Sequence, residues 1–141
     1  MNKKSLIFSV MILFPGLTGG FSQGKSAASN PRVEVFYFHP NERCPIDQSI
    51  EENTIKLMNS AFAREIKDGT IKFQIINTDD KSQAKTVSKF DINAQALYVV
   101  KLKNGKEIKN DLTHFAFTYG QSNPERFKDE LKAEIDKALR E

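Results

Sequence analysis

The sequence predicts an α/β domain in which helices cover both faces of a central mixed sheet of four strands. Three patterns lead to this prediction. Residues 32–38 first alternate and then become continuously apolar, as in a central strand that is buried on both faces. Apolar residues recur at helical spacing from Ile50 onward. Asn104-Gly105 lies between two strand-like runs and is a strong signal for a β-hairpin.

The expected elements follow the order β-α-β-α-β-β-α. A right-handed crossover makes the first two strands parallel neighbours, and the hairpin makes the last two strands antiparallel. The predicted strands are 32–38, 70–77, 96–102 and 106–109, and the predicted helices are 45–67, 82–90 and 124–139.

Individual residues set the ends of the predicted helices. Pro45 suits the first helical position because its missing N–H is not needed there, so Cys44 takes the N-cap and Asp47 the third position. Gly69 suits the left-handed residue that follows this helix. Asn123 is expected to cap the last helix.

The predicted core consists of the apolar positions of the strands and of the inner helix faces. The chain has 11 Phe and no Trp, so Phe and aliphatic side chains must fill this core. In the short second helix, Ala84 and Val87 are expected to face inward. The expected core residues are Val35, Phe36, Phe38, Leu57, Phe62, Phe73, Ile75, Leu97, Val99, Leu131 and Ile135.

The first residues resemble an export signal. A positive start at residues 3–4 precedes the apolar residues 6–14, a run far shorter than the ~20 residues that span a bilayer. Small residues at 20–22 and again at 26–28 offer two signal-peptidase sites. We therefore predict a signal peptide over residues 1–22, or up to 28 with the later site, a flexible tether over 23–31 and a folded domain over 32–141.

Length and charge narrow the class of protein. The 141 residues suffice for one domain. The formal net charge is +3, and removal of residues 1–22 takes away two lysines and no acid, which leaves +1 (3 − 2). A nearly neutral protein without a basic stripe is not expected to bind nucleic acid. Because of the predicted signal peptide, the expected location is periplasmic or secreted, and no membrane association is expected after cleavage. An uncleaved membrane anchor is the alternative.

The residues around Cys44 resemble the active site of thioredoxins. A buried strand, a short loop and Cys-Pro at a helix start are similar to the thioredoxin active-site turn, and residues 90–106 are similar to the segment that leads into its hairpin. More narrowly, Tyr37-Phe-His-x₄-Cys44 with Glu51 beyond it resembles a small bacterial thioredoxin-like family labelled nitrophenyl-compound nitroreductase subunits of the ArsF type. The resemblance covers residues 32–140 and implies a thioredoxin-like fold.

Two positions depart from the pattern of this family. The second cysteine of its C-x-x-C motif would fall at Asp47, and the cis-proline beside the disulfide would fall near Ala96. Cys44 is the one cysteine of the chain, so the protein can neither form an internal disulfide nor cycle alone between dithiol and disulfide. The missing proline removes the platform that thioredoxins offer to the extended backbone of a substrate.

The chemistry that remains centres on Cys44, with Arg43, Asp47 and His39 as the other candidate site residues. The helix N-terminus and Arg43 favour the thiolate form of Cys44, whereas the Asp47 carboxylate opposes it. Cys44 is therefore either a modestly activated nucleophile or an N-cap without a chemical role. Asp47 is expected to stabilise the helix start rather than to act as a catalytic acid.

His39 lies on the loop that leads to Cys44. It is a candidate base for the thiol, and a mixed metal site of His39, Cys44 and Asp47 for Cu(I) or Zn is an alternative. A fourth ligand is not in sight, because His114 lies in a different loop. We expect His39 to be a solvent-exposed strand-end histidine, and we expect no metal site. The sequence has no Gly-rich phosphate motif, so no nucleotide or flavin cofactor is expected.

Residues 114–119 interrupt the connection between the hairpin and the last helix. Their three aromatic residues alternate, which predicts an extended segment that packs by one face. Such a segment would cover the core or the sheet edge, and a surface for docking a partner is the alternative.

Two functions are consistent with these features. The first is a binding or accessory module that contacts another exported protein or a reductase complex and is not a self-sufficient oxidoreductase. The second is a monothiol redox protein whose Cys44 forms mixed disulfides with a partner or a small thiol. The pH dependence of Cys44 alkylation separates them, because a slow rate that rises only at alkaline pH points to the module.

Overall fold

A computed structural model describes residues 30–141, so the predicted signal peptide and the tether up to residue 29 lie outside the described residues. The prediction of an α/β chain with a four-stranded mixed sheet and helices on both faces is confirmed. A short 3₁₀ helix, Lys81–Gln83, precedes α3. The elements are β1 Val33–His39, α1 Pro45–Ala61, α2 Ala63–Lys67, β2 Ile71–Asn77, α3 Ala84–Phe90, β3 Ala96–Lys103, β4 Lys106–Asp111, α4 Thr113–Tyr119 and α5 Pro124–Arg140.

The strands lie in the order β2-β1-β3-β4. β1 is parallel to β2 and antiparallel to β3, and β3 is antiparallel to β4. The predicted hairpin joins β3 to β4: Asn104 has φ +53° and Gly105 has φ +73°. A tight hairpin turn needs two left-handed residues, and Asn-Gly is the pair that adopts them most easily.

The two faces of the sheet are covered unequally. The larger core layer lies beneath α1, α4 and α5, whereas on the opposite face α3 covers a smaller, aromatic layer. The larger layer contains Val33, Val35, Tyr37, Ile50, Leu57, Met58, Phe62, Ile71, Leu97, Val99, Ala116, Phe127, Leu131 and Ile135. The smaller layer contains Phe36, Phe38, Ile76, Phe90, Ala96 and Val100.

Nine of the predicted core residues are buried, and the exceptions lie on β2. Phe73 is half-buried, and the prediction that Ile75 is a core residue is wrong because its side chain is 36% exposed. β2 is an edge strand, so its side chains lack a neighbour on one side. In α3, Val87 packs against the smaller layer, but the expectation for Ala84 is wrong because this first residue of the helix is exposed.

The first predicted helix is divided in two. Phe62, with φ −124° and ψ 17°, leaves the helical conformation between α1 and α2, and its side chain is buried in the larger core layer. Gly69 adopts the predicted left-handed conformation with φ +82° after α2. At the other end of the domain, Asn123 caps α5 as predicted, since its side chain accepts a hydrogen bond from the Arg126 N–H.

The prediction of an extended segment at residues 114–119 is wrong, because these residues lie in helix α4. Asp111 Oδ1 accepts a hydrogen bond from the Thr113 N–H at 2.9 Å and stabilises the helix start. Phe115 and Tyr119, four residues apart, lie on the packed side with their ring centroids 5.4 Å apart. Phe117 between them is 37% exposed. The aromatic residues therefore alternate in sequence, but the helix turns two of them, Phe115 and Tyr119, toward the core, where they are partly buried.

Helix α4 packs closely against α1 at Gly120. A Cβ atom at this position would lie 2.4 Å from Ile50 Cγ1 and 2.6 Å from the Ala116 carbonyl oxygen. The Gly120 carbonyl also accepts a hydrogen bond from Asn53 Nδ2 at 3.1 Å. Glycine is therefore required here by the close approach of two helices. No helix within residues 30–141 is both long and apolar enough to cross a membrane.

Candidate functional site

Cys44 lies at the start of α1, directly after the loop that follows β1. Its backbone is extended, with φ −81° and ψ 167°, and Pro45 begins the helix as predicted. The thiol is free and the residue is exposed. The side chain of Cys44 faces the backbone N–H of Asp47, which is the usual position of an N-cap side chain. The thiol that the sequence analysis predicts as the candidate nucleophile is therefore accessible to solvent.

Asp47 is fully buried beneath Cys44 and holds the helix start together. Its Oδ2 accepts hydrogen bonds from the Cys44 N–H and from Gln95 Nε2, each at 2.9 Å. Its Oδ1 is also buried and has no hydrogen-bond partner among the described residues. The Asp47 carboxylate thus completes a capping box with Cys44. Through Gln95 it also connects the start of α1 to the loop before β3.

Tyr37 supports the same turn of the helix from β1. Its hydroxyl donates a hydrogen bond to the Asp47 carbonyl oxygen at 2.9 Å, and the residue is buried. Burial raises the pKa of Tyr37 well above its ordinary value, and the negative charges of Asp47 and Glu51 raise it further. Tyr37 therefore stays protonated and acts as a hydrogen-bond donor.

Arg43 forms an ion pair with Glu51, one of the residues on which the family resemblance rests. The pair connects the loop before α1 to the second turn of that helix. The Arg43 guanidinium, which was expected to favour the thiolate of Cys44, is thus paired with a carboxylate on α1. The side chains are only partly exposed, so the pair fixes the loop that carries the thiol.

His39 is the last residue of β1 and is buried, so the expectation of a solvent-exposed histidine is wrong. Its Nδ1 lies 2.8 Å from the Pro40 carbonyl oxygen. Because a carbonyl oxygen only accepts, Nδ1 carries the proton, and in the neutral ring Nε2 is the unprotonated nitrogen. The ring packs beside Tyr37, with the centroids 6.1 Å apart. His39 belongs to the central strand and not to the loop, since it pairs with Asn77 of β2 and its carbonyl accepts from the Thr78 N–H.

The structure brings Cys44 and Asp47 together and adds Gln95, which the sequence analysis did not identify. Gln95 directly precedes Ala96, the first residue of β3, and residues 30–141 contain no cis peptide bond. Ala96 is buried at the start of β3. The one sequence signal for Gln95 was its position as a polar residue just before a buried strand. This signal does not identify its partner, Asp47, which lies 48 positions earlier in the chain.

The described residues hold no group of three or more His, Cys, Asp and Glu side chains arranged for a metal ion. The second histidine, His114, is exposed on α4. In this part of the chain the candidate chemistry is therefore that of one thiol, one buried carboxylate and one buried imidazole.

Comparisons with known proteins add little to this description. No family model matches the chain, and no curated protein matches it. One matching solved structure, described as the structure of a malarial protein, is 17% identical to this chain with a TM-score of 0.39. The alignment covers 61% of this chain and 92% of that chain. A likeness this weak supports neither a fold family nor a function.

Proposed function

We propose that this chain is an exported thioredoxin-like protein with a degenerate active site, Cys-Pro-Ile-Asp, which serves as a binding or accessory module for another exported protein or a reductase complex. One observation carries the proposal: Asp47, which stands where the family resemblance would put a second cysteine, is buried, and its carboxylate accepts hydrogen bonds from Cys44 and Gln95. A group held in this way has a structural role at the helix start.

The thioredoxin-like assignment is supported by the placement of the site within the sheet. Cys44 follows β1, a central strand that is parallel to β2 and antiparallel to β3. The loop before β3 reaches the same helix start through Gln95. These are the positions that the family resemblance assigns to the reactive cysteine and to the segment that carries the cis-proline.

Exchange chemistry explains why the site is not proposed as a self-sufficient oxidoreductase. Attack of the Cys44 thiolate on a disulfide forms one new S–S bond, breaks the old one and releases one thiolate, so the number of disulfides is unchanged. Release of the bound partner needs a second thiolate to attack the mixed disulfide. The chain has one cysteine, and the Asp47 carboxylate cannot form a disulfide.

The second candidate function is a monothiol redox protein, and the exposure of Cys44 favours it. In this case a partner or a small thiol supplies the second thiolate. The outcome of the first exchange is then a covalent complex through Cys44, which persists until that external thiol arrives.

Trapping in cells tests the two functions against each other. Free thiols are blocked with a membrane-permeant alkylating agent under native conditions, and complexes of the wild-type protein and of Cys44→Ser are isolated with and without a reductant. The module predicts the same noncovalent partner for both forms, whereas the monothiol protein predicts a reductant-sensitive complex that Cys44→Ser lacks. Neither kind of complex would be found if the chain had no protein partner.

A further inference from the structure

The two outer edges of the sheet differ in chemistry, although each edge strand is bonded to a single neighbour. On β4 four of six residues are charged and all six are exposed, which is typical of an edge that resists pairing with another strand. On β2, with the sequence IKFQIIN, the one charged residue is Lys72. Its ammonium group lies 3.8 Å from the Glu34 carboxylate of the neighbouring strand β1.

The unprotected edge of β2 also carries incompletely buried apolar side chains. Phe73 packs at the margin of the larger core layer, and Ile75, two residues along the strand, lies on the same face and is 36% exposed. Its pairing partner on β1, Tyr37, is 1% exposed. Among residues 30–141, no strand lies beyond β2. Ile71 and Ile76 on the same strand are 1% and 6% exposed, so the exposed apolar surface of this edge is centred on Ile75 and the half-buried Phe73.

We propose that β2 pairs with β2 of a second copy of this chain, antiparallel across a two-fold axis at Gln74. This interface is independent of the thiol and goes beyond the function proposed above. In this register Phe73 of each copy lies opposite Ile75 of the other, on the face that carries the larger core layer. Lys72 lies opposite Ile76, so no like charges meet. The two four-stranded sheets become one continuous sheet.

A second copy is favoured because the strand is complementary to itself in this register. Two-fold symmetry requires one surface to serve both partners, and a strand whose apolar residues 73 and 75 flank a central Gln74 satisfies it. An edge strand with several charges of one sign would repel a second copy of itself. The single lysine of β2 is offset from the two-fold axis and is already paired with Glu34. The N–H and C=O groups that β2 directs away from β1 supply the hydrogen bonds between the copies, except for the Asn77 N–H, which donates to Gln83 Oε1.

Sedimentation of the protein, purified from cells in the form that accumulates there, tests the association. We expect a monomer–dimer equilibrium. Ile75→Lys should weaken dimerisation at least ~10-fold, because each substitution occurs twice in a symmetric interface. Ile108→Lys is the matched control on β4, where the replaced isoleucine is 54% exposed, and it should leave the equilibrium unchanged. A monomer at all concentrations, or equal effects of the two substitutions, would overturn the proposal.

A cross-link tests the register without changing the apolar residues of the edge. In a Cys44→Ser background, Gln74→Cys places two thiols opposite each other across the axis, within reach of a disulfide on mild oxidation. Lys106→Cys on β4 is the control and should stay monomeric under the same conditions. A dimer that Gln74→Cys does not link would exclude this interface. A monomer in which the β2 amides directed away from β1 exchange slowly with solvent would also overturn it, because another part of the chain would then cover the edge.

Discussion

Replacement of Asp47 by alanine tests whether the buried carboxylate holds the site together. In the native protein Asp47 Oδ2 accepts from the Cys44 N–H and from Gln95 Nε2. The carbonyl of the same residue accepts from Tyr37, and this bond survives the substitution. Asp47→Ala therefore removes the hydrogen bonds from Cys44 and from Gln95. The hydrogen bond from Tyr37 on β1 to the backbone carbonyl stays in place.

The expected loss follows from the hydrogen bonds that disappear. Loss of a helix cap costs about 0.5–2 kcal/mol, and a hydrogen bond to a charged group contributes about 1.5–3 kcal/mol. These two ranges are not added in full, because both include the hydrogen bond from the Cys44 N–H. The substitution also removes the buried Oδ1, which has no hydrogen-bond partner among the described residues, and this offsets part of the destabilisation. We expect Asp47→Ala to lower the free energy of unfolding by about 2–3 kcal/mol, which corresponds to a decrease in Tm of roughly 10 °C for a domain of this size.

Chemical denaturation monitored by circular dichroism measures this loss. Glu52→Ala is the matched control: Glu52 is an exposed carboxylate on the same helix, 3.7 Å from Lys56, and its removal should change the stability by less than about 0.5 kcal/mol. Gln95→Ala removes one of the two side-chain bonds and should give an intermediate loss. If Asp47→Ala were as stable as the Glu52→Ala control, the argument that Asp47 has a structural role would be refuted.

Four further predictions concern other features of the chain. Asp47→Cys supplies the missing thiol and should gain measurable disulfide reduction in an insulin assay; parent protein that reduces disulfides catalytically without added thiol would contradict the proposed function. The pKa of Tyr37 is raised in the folded state, so above about pH 10 the unfolded chain releases the Tyr37 proton while the folded chain keeps it. The free energy of unfolding therefore includes the full contribution of Tyr37 below about pH 10 and decreases at higher pH, by up to about 1.4 kcal/mol for each pH unit. Stability of Tyr37→Phe should therefore fall less steeply above pH 10, and equal slopes in alkaline denaturation would exclude this linkage. Gly120→Ala should destabilise the domain by about 1–3 kcal/mol in thermal unfolding because the added Cβ meets α1, and a neutral effect would show that the helices lie further apart. Mass spectrometry of protein from cells should find a mature N-terminus at Gln23 or Ser29, whereas full-length protein in the membrane fraction would contradict export.

Features that depend on neighbouring residues could be predicted from the sequence. The tight turn at Asn104-Gly105 and the helix start at Cys44 follow from backbone preferences over a few positions, and both are found in the structure. The capping role expected for Asp47 has the same local origin, since its partner is three residues away. These predictions needed no knowledge of what lies across the sheet.

Features that depend on distant parts of the chain could not be predicted. Burial of His39 depends on its place in a central strand of the sheet, and the exposure of Ile75 depends on the place of β2 at the edge. Helical periodicity is weak over the seven residues of α4, so the alternating aromatics were misleading. The bond from Gln95 to Asp47 joins residues 48 positions apart, and no local pattern indicates such a pair.

The exposed thiol above a buried polar network has a practical consequence for spectroscopy. Cys44 is the one cysteine of the full sequence, and it lies at the solvent side of the turn that Asp47, Gln95 and Tyr37 hold from beneath. A maleimide dye or a nitroxide label therefore attaches at one defined point of the native chain without mutagenesis. Such a reporter lies after the end of β1 and at the start of α1, where it would sense a bound protein through its anisotropy or its distance to a second label.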